Sequence, residues 1–112
     1  MRARYSAYAV GEVDFLIDTT HPLGPHFRPD RAAWRADLVR YCRTHTFTGL
    51  TVLAHTTSPD ERVAWVAFVA RLTDGAHAFE IRERSRFERD GTRWKYVGDD
   101  DERPDQAGGS SA

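Results

Sequence analysis

Apolar residues recur with a helical period in the first part of the chain, where residues 1–10 and 13–20 each carry an apolar position every three or four residues. This spacing predicts two short helices, the second closed before Pro22, because a proline disfavours helix at the residue that precedes it. Residues 21–29 hold three prolines and one glycine and are expected to form a loop. Asp30 can cap a third helix. The apolar stripe of that helix consists of Trp34, Leu38, Tyr41 and His45.

The hydrophobic period changes to two after Gly49, which predicts strands rather than helices. Asp-Gly pairs at positions 74–75 and 90–91 predict two-residue hairpin turns between alternating runs. The expected strands are Leu50–Thr57, Val63–Leu72, His77–Arg89 and Arg93–Val97. Helices followed by an antiparallel meander indicate an α+β fold, in which the N-terminal helices cover one face of a four-stranded sheet.

Glu83 and Ser85 stand on the apolar face of the third predicted strand, together with Phe79, Ile81 and Phe87. A polar group on a buried face normally has a hydrogen-bond partner or a function. With two-residue turns, the expected cross-strand pairs are Phe68–Ile81, Val66–Glu83, Ala64–Ser85, Phe87–Trp94, Ser85–Tyr96, His55–Ala64 and Leu53–Val66. In this register His55 and Ser85 lie two strands apart, or roughly 10 Å, which argues against a serine hydrolase pair.

The expected pairs leave space above the sheet because Ala64 and Gly98 are small. Aromatic walls with a few convergent polar groups are typical of small-molecule sites, so we expect a ligand pocket here. The predicted pocket residues are Tyr5, Tyr8, Trp34, His55, Phe68, Ser85, Phe87, Trp94 and Tyr96. Glu83, a carboxylate desolvated among apolar side chains, is the candidate catalytic residue for proton transfer. The alternative is a structural role, in which Glu83 pairs with a buried tyrosine or with an arginine such as Arg4 or Arg71.

The opposite face of the predicted sheet combines apolar and charged side chains. Trp65 is expected opposite Arg84, where ring and guanidinium would form a cation–π pair. The apolar residues expected on this face are Leu50, Val52, Ala54, Ala67, Val69 and Val97. An apolar centre with a charged rim is typical of a homodimer interface, while a solvated sheet face with scattered apolar side chains explains the same pattern.

Composition narrows the function classes. Lys and Arg number 16 against 17 Asp and Glu, so the net charge of −1 gives no field that attracts nucleic acid. No apolar run approaches the ~20 residues that a membrane span needs. Cys42 is the only cysteine, which excludes an internal disulfide and favours a cytoplasmic location. The five histidines and Cys42 lack metal-ligand spacing, so we expect neither a metal nor another cofactor.

Several stretches together resemble the YchJ-like family of uncharacterised bacterial proteins, over about residues 1–98. They are Met1–Tyr8, His21-Pro22, Gly49–Val52, Phe68–Arg71, Glu83–Phe87 and Trp94–Val97. The resemblance implies a nuclear transport factor 2-like fold, a curved antiparallel sheet wrapped around helices to form a cone with a pocket. Many members of that family carry a cysteine-rich, zinc-binding SEC-C motif, but with Cys42 as the only cysteine this zinc site does not carry over. The resemblance brings no known activity.

Two hypotheses for the function follow from these patterns together with what the resemblance implies. The first is a non-catalytic domain that binds a small ligand or a protein, with a second copy of the chain as a candidate partner. The alternative is an isomerase-like or dehydratase-like enzyme that uses Glu83. We expect one domain at 1–98 and a disordered acidic, Gly-Ser-rich tail at 99–112. The first helix has no capping residue before it, which indicates either a frayed end or a shortened form of a longer protein.

Overall fold

The computed structural model describes residues 1–99, which form three helices followed by one antiparallel sheet. The helices are α1 (Arg2–Val10), α2 (Val13–Asp18) and α3 (Arg31–Thr44), and the strands are β1 (Thr46–Thr57), β2 (Val63–Thr73), β3 (Ala78–Asp90) and β4 (Arg93–Asp99). The four strands lie in the order β1-β2-β3-β4. The predicted α+β architecture is therefore confirmed. Most of the tail predicted to be disordered, from position 100 onward, lies outside the described residues.

Local signals explain where the helices begin and end. α1 ends at Gly11, whose φ of 81° lies in the left-handed region, where glycine has no Cβ to clash. α3 begins after Asp30, whose carboxylate accepts a hydrogen bond from the Ala33 amide at 3.0 Å. The cap predicted for the third helix is therefore confirmed.

The hairpin between β2 and β3 has a four-residue loop, with Thr73 paired to Ala78. The Asp74 carboxylate accepts hydrogen bonds from the amides of Ala76 at 2.9 Å and His77 at 2.8 Å, which stabilises the longer loop. The predicted two-residue turn is therefore wrong, and all the pairs derived from it are shifted by two residues. The observed pairs include Phe68–Glu83, Val66–Ser85 and Ala64–Phe87. Because side chains alternate with a period of two, this shift leaves Glu83 and Ser85 on the same face as predicted.

The hairpin between β3 and β4 has the predicted two-residue length but is displaced by one residue at its tip. Asp90 pairs with Arg93, and Gly91, with a φ of 67°, occupies the first turn position. A positive φ at that position is typical of a type II′ turn, which favours glycine there. The consequence is that Phe87 pairs with Tyr96 instead of Trp94.

Two irregularities in β1, at positions 48 and 53, change which of its side chains face the helices. Leu50 lies opposite Ala70 and Val52 opposite Phe68, so both share the face that is covered by the helices, hereafter the inner face. The prediction that these two residues lie on the outer face is wrong. Leu53, predicted to face inward, is 59% exposed because it lies in the second irregularity.

The core lies between the inner face and the helices. Leu16 of α2 and Leu72 of β2 are each 1% exposed, and Ala64, Val66 and Phe87 form a buried cluster. The segment after α2 is tied to β4: the Tyr96 amide donates to the Thr19 carbonyl at 2.6 Å, and the Tyr96 carbonyl accepts from the amide of His21 at 2.8 Å. These bonds hold the helical layer at one end of the sheet and leave a cavity at its centre.

None of the helices formed by residues 1–99 combines the length and the apolar composition that crossing a bilayer requires.

Candidate functional site

A cavity of about 380 Å³ lies between the helices and the inner face of the sheet. Its floor is made by inner-face residues of β2 and β3, namely Phe68, Ala70, Ile81, Glu83 and Ser85. Its roof is made by residues of α1 and α3, namely Tyr5, Tyr8, Trp34, Leu38 and Tyr41. The floor and roof are therefore mostly apolar or aromatic, and the polar groups of the lining include Glu83 and Ser85 on β3, Arg4, Arg28, Asp37 and Tyr96.

Phe47 joins the roof to the sheet. Its ring lies 5.6 Å from that of Tyr5 at an interplanar angle of 90°, and 5.5 Å from that of Tyr8. Tyr41 completes this aromatic cluster. Sequence reasoning missed Phe47 because the first strand was expected to begin at Leu50, whereas β1 begins at Thr46. Extending the predicted inward alternation of His55 and Leu53 back along the chain would have placed Phe47 on the inner face.

Glu83 is the centre of the polar groups in the cavity. Its Oε2 atom accepts hydrogen bonds from the Ser85 hydroxyl at 2.5 Å and from the Tyr96 hydroxyl at 2.9 Å. Ser85 is adjacent because residues two apart on a strand share a face, and it is fully buried. An irregularity in the pairing of β3 with β4 near Phe87 accompanies the approach of Tyr96 from the next strand.

Tyr96 keeps its proton at neutral pH. Burial raises the pKa of Tyr96 well above its ordinary value of 10, and the charge of Glu83 and the hydrogen bond to it raise the pKa further. The hydroxyl is therefore a permanent donor to the carboxylate. Burial also raises the pKa of Tyr8 in the roof of the cavity.

The second carboxylate oxygen of Glu83, Oε1, faces the cavity. Within residues 1–99, the hydrogen bonds to this carboxylate both end on Oε2. No buried side-chain nitrogen or oxygen in the described part of the chain lacks a partner. Oε1 must therefore lie against accessible space, and Glu83 is part of the cavity wall.

Arg4 approaches Glu83 only indirectly. Its guanidinium carbon lies 4.5 Å from the centre of the Tyr96 ring, on which it stacks. Its Nη1 atom donates to the Leu16 carbonyl at 3.1 Å and to the Thr19 hydroxyl at 2.7 Å. Burial lowers the pKa of Arg4, and its interactions with Tyr8, with Tyr96 and with the charge of Glu83 partly offset this effect.

Of the partners expected for Glu83 in the structural alternative, the tyrosine is present as Tyr96, and a direct arginine ion pair is not found among residues 1–99. Arg71 lies on the outer face, where its Nε is 3.4 Å from Glu80 and its Nη1 donates to Thr51 at 3.0 Å. Among the described residues, no arginine nitrogen is found within 4.0 Å of the Glu83 carboxylate.

The structure brings most of the predicted pocket residues together around Glu83. They are Tyr5, Tyr8, Trp34, Phe68, Ser85 and Tyr96. Three others lie elsewhere, because the registers differ from those expected. Phe87 lies in the core cluster beside Ala64, Trp94 stacks with Arg89 at 4.5 Å, and His55 is exposed opposite Val66. The expectation that these three residues line the cavity is corrected.

In the part of the chain that the structure describes, no three His, Cys, Asp or Glu side chains cluster closely enough to hold a metal ion. Burial raises the pKa of the Cys42 thiol, which favours its protonated form. The chemistry that the cavity wall offers is therefore hydrogen bonding and charge at Glu83, Tyr96 and Arg4.

Comparison with known families matches residues 1–99 to the domain described as YchJ, middle NTF2-like domain. The UPF0225 protein PC1_1977 of Pectobacterium carotovorum subsp. carotovorum (strain PC1) is 42% identical over 102 residues. The match covers 87% of this chain and 61% of that protein. The chain thus spans about three fifths of the length of this curated relative.

Two solved structures share the fold. One is the solution structure of RPA3114, a SEC-C motif containing protein from Rhodopseudomonas palustris. It superposes with a TM-score of 0.68 at 27% sequence identity, and the match covers 87% of this chain and 71% of the RPA3114 chain. The other is the crystal structure of a SEC-C motif containing protein from Psychrobacter arcticus, which superposes with a TM-score of 0.66 at 23% sequence identity. That match covers 87% of this chain and 55% of the Psychrobacter chain. The second likeness shows the fold alone. Together with the α+β architecture described above, these matches show that the chain belongs to the YchJ family, in which it corresponds to the middle, nuclear transport factor 2-like domain.

Proposed function

We propose that this domain binds a small organic ligand in its central cavity without transforming it. The observation that carries the proposal is the cavity itself, whose volume of about 380 Å³ is bounded by aromatic and apolar side chains around one polar cluster. Ligand sites typically have volumes of about 300–1,000 Å³ and just this distribution of groups. The Glu83 carboxylate would orient the ligand by accepting a hydrogen bond at Oε1.

The arrangement of the polar cluster favours binding over catalysis. General acid–base catalysis needs an acid and a base that reach the same substrate. Oε2 of Glu83 is occupied by Ser85 and Tyr96, and burial raises the pKa of Tyr96, so that this hydroxyl holds its proton. His55, the histidine predicted for the pocket, is exposed and lies off the cavity wall.

A cavity-filling variant tests ligand binding. We would titrate the protein with 1-anilinonaphthalene-8-sulfonate, whose fluorescence rises in apolar surroundings, and expect saturable binding. Ile81→Phe places a larger ring on the cavity floor and is expected to weaken binding at least about tenfold. The matched control is Leu53→Phe, at a position that is 59% exposed and off the cavity wall, which should leave binding unchanged. No saturable binding, or equal binding by Ile81→Phe, would contradict the proposal.

A second candidate function is proton transfer by Glu83, as in an isomerase or dehydratase. One observation favours it: Oε1 borders the cavity, and no ion pair with Glu83 is found among residues 1–99. In this reaction the carboxylate would take a proton from a carbon next to a ligand carbonyl. The probe is 4-phenylbutan-2-one in deuterated buffer, with incorporation of deuterium followed by NMR. A rate no higher than that of the buffer, or the same rate with Glu83→Gln, rejects catalysis on this class of ketone.

A homodimer through the outer sheet face is a further proposal. It is supported by Trp65, which lies on this face near the start of the inner strand β2, with the guanidinium carbons of Arg84 and Arg86 at 5.3 and 5.9 Å from its ring centre. Light scattering coupled to gel filtration would then give twice the chain mass, and Trp65→Ala would shift the protein towards the monomer. A strictly monomeric wild type at high concentration refutes the dimer.

We also propose a cytoplasmic location, supported by a single, half-buried cysteine. Binding to membranes or nucleic acid is not expected, because the net charge is −1. Fractionation of cells that express the tagged protein tests the location, and recovery in a membrane or extracellular fraction contradicts it.

A further inference from the structure

A second cavity of about 320 Å³ adjoins the first. The two share Arg4, Tyr8, Arg28, Trp34, Leu38 and Tyr96, so they lie next to each other, and we describe them as two lobes of one cleft. We call the lobe on the Glu83 side the main lobe. The lobe that is also bounded by Leu16, Thr20 and His26 is called the arginine lobe.

Charge is divided unequally between the lobes. The carboxylates of the cleft, Asp37 and Glu83, line only the main lobe. In the described part of the chain, the charged residues that line the arginine lobe are Arg4 and Arg28, beside His26. Arg28 is paired with Asp37 at 2.7 Å, and both side chains are roughly half exposed. Asp37 also pairs with Arg40 at 3.0 Å, so Arg28 is only partly neutralised, but its exposed side chain is screened by solvent, and the buried Arg4 determines the character of this lobe.

Arg4 is held in a fixed orientation. It is 9% exposed, so more than nine tenths of it is buried. Its Nη1 atom is anchored at the end of α2 by the Leu16 carbonyl and the Thr19 hydroxyl. The Tyr8 hydroxyl, in the wall of the same cleft, is a further hydrogen-bond acceptor for this guanidinium. Within residues 1–99, no carboxylate accepts a hydrogen bond from Arg4, and its side chain lines both cavities, so that a ligand in the cleft can reach it.

This geometry is that of an incomplete ion pair. A buried charge is costly unless it is paired, and the described residues place no carboxylate within 4.0 Å of Arg4. The Nε–Nη2 edge of a guanidinium matches the two oxygens of a carboxylate, which it binds with two parallel hydrogen bonds. Because Arg28 is nearly half exposed and Arg4 is the buried cation of the described cleft lining, the lobe suits a single negative charge better than the nearly double charge of a phosphate monoester.

We infer that the ligand of the cleft is a carboxylic acid with an apolar or aromatic body, whose carboxylate binds Arg4 while the body lies in the main lobe. The inference rests on the proposed ligand-binding function and names the chemical class of the ligand. The body packs against Trp34, Phe68 and Ile81. A hydroxyl or amine on the far side of that body would donate to Oε1 of Glu83, so the carboxylate end is directed away from the like charge.

Three probes with the same skeleton and different ends test this inference on the full chain. They are 3-phenylpropionate, 3-phenylpropan-1-ol and 3-phenylpropan-1-amine, with affinities measured by NMR titration. The wild type is expected to bind the acid at least about tenfold more tightly than the alcohol, because a hydrogen-bonded charge pair exceeds a neutral contact. Inorganic phosphate at the same concentration should not displace the acid. Preferred binding of the amine, or displacement by phosphate, overturns the carboxylate assignment.

Two variants separate the role of Arg4 from its effect on folding. Arg4→Gln should reduce the affinity for the acid to that for the alcohol and leave the alcohol unchanged. Should this variant fail to fold, Glu83→Gln still decides the question, because removing a like charge from the cleft should tighten binding of the acid several-fold. Unchanged or weaker binding of the acid by Glu83→Gln contradicts the inference.

The outcomes also separate this inference from the function on which it rests. Equal binding of the three probes to the wild type, lost in Ile81→Phe, refutes the carboxylate and supports a ligand cavity. Failure of every probe and of the fluorescent dye refutes both.

Discussion

Replacing Tyr96 with phenylalanine removes the hydroxyl that donates to Glu83 at 2.9 Å and leaves the ring in place. The ring keeps its contacts with Arg4, at 4.5 Å from the guanidinium carbon, and with Phe87, at 5.8 Å between ring centres. A hydrogen bond to a charged acceptor contributes about 1.5–3 kcal/mol. We expect Tyr96→Phe to lower the free energy of unfolding by about that amount at pH 9, because Glu83 keeps only the bond from Ser85.

The stability difference between wild type and Tyr96→Phe should also depend on pH. The pKa of Tyr96 is raised in the folded protein, so the unfolded chain loses this proton first as the pH rises above 10. The wild type therefore loses about 1.4 kcal/mol for each pH unit above 10 through this one group, until the folded protein also loses the proton. The Tyr96→Phe variant has no ionisable hydroxyl at this position, so its free energy of unfolding does not fall in this way. The stability difference between wild type and variant should shrink by about 1.4 kcal/mol between pH 9 and pH 11.

Urea unfolding followed by circular dichroism measures both effects. The matched control is Tyr5→Phe, which also removes a tyrosine of the cavity wall but whose hydroxyl makes no hydrogen bond with residues 1–99. It should change the free energy of unfolding by less than about 0.5 kcal/mol at pH 9. The reasoning is refuted if Tyr96→Phe is as stable as Tyr5→Phe at pH 9, or if its difference from wild type stays constant up to pH 11.

Three further substitutions test the fold. Val52→Asp should destabilise the protein by at least about 2 kcal/mol while Leu53→Asp changes little, because Val52 packs against the core and Leu53 is exposed. If urea unfolding shows Leu53→Asp to be the less stable variant, Leu53 faces inward and the irregularity at position 53 is wrong. Asp74→Ala removes the acceptor of two loop amides and should lower the free energy of unfolding by about 1 kcal/mol, measured by thermal melting. An unchanged melting temperature would show that the loop does not depend on the Asp74 carboxylate. Asp30→Ala should cost about 1 kcal/mol through the lost cap of α3, and unchanged helicity and melting temperature would show that this cap is dispensable.

The elements of the fold could be predicted because their signals are local. The period of apolar residues distinguished helices from strands, and Asp30 marked the start of α3. The turns were less predictable because their lengths depend on hydrogen bonds from single side chains. Asp74 stabilises a four-residue loop where the Asp-Gly pair predicted two residues.

The candidate site was predictable only in part. Glu83 and Ser85 were placed on the inner face correctly, since a register error of two residues preserves the face. His55 and Trp94 were misplaced because their positions depended on register across two hairpins. Phe47 was missed because the first strand was expected to begin at Leu50, whereas β1 begins at Thr46 and brings Phe47 against the tyrosines of α1.

The sequence by itself determined the order of the elements, the two faces of β3 and the presence of a carboxylate among apolar residues, because each depends on neighbours along the chain. Only the tertiary structure decided what surrounds that carboxylate. Tyr96 reaches Glu83 across a shifted register, and Arg4, 79 positions away along the chain, is anchored by α2 and stacks on Tyr96. Contacts between distant segments depend on how turns, irregular pairings and helix packing combine, and the periodicity of the sequence does not predict that combination.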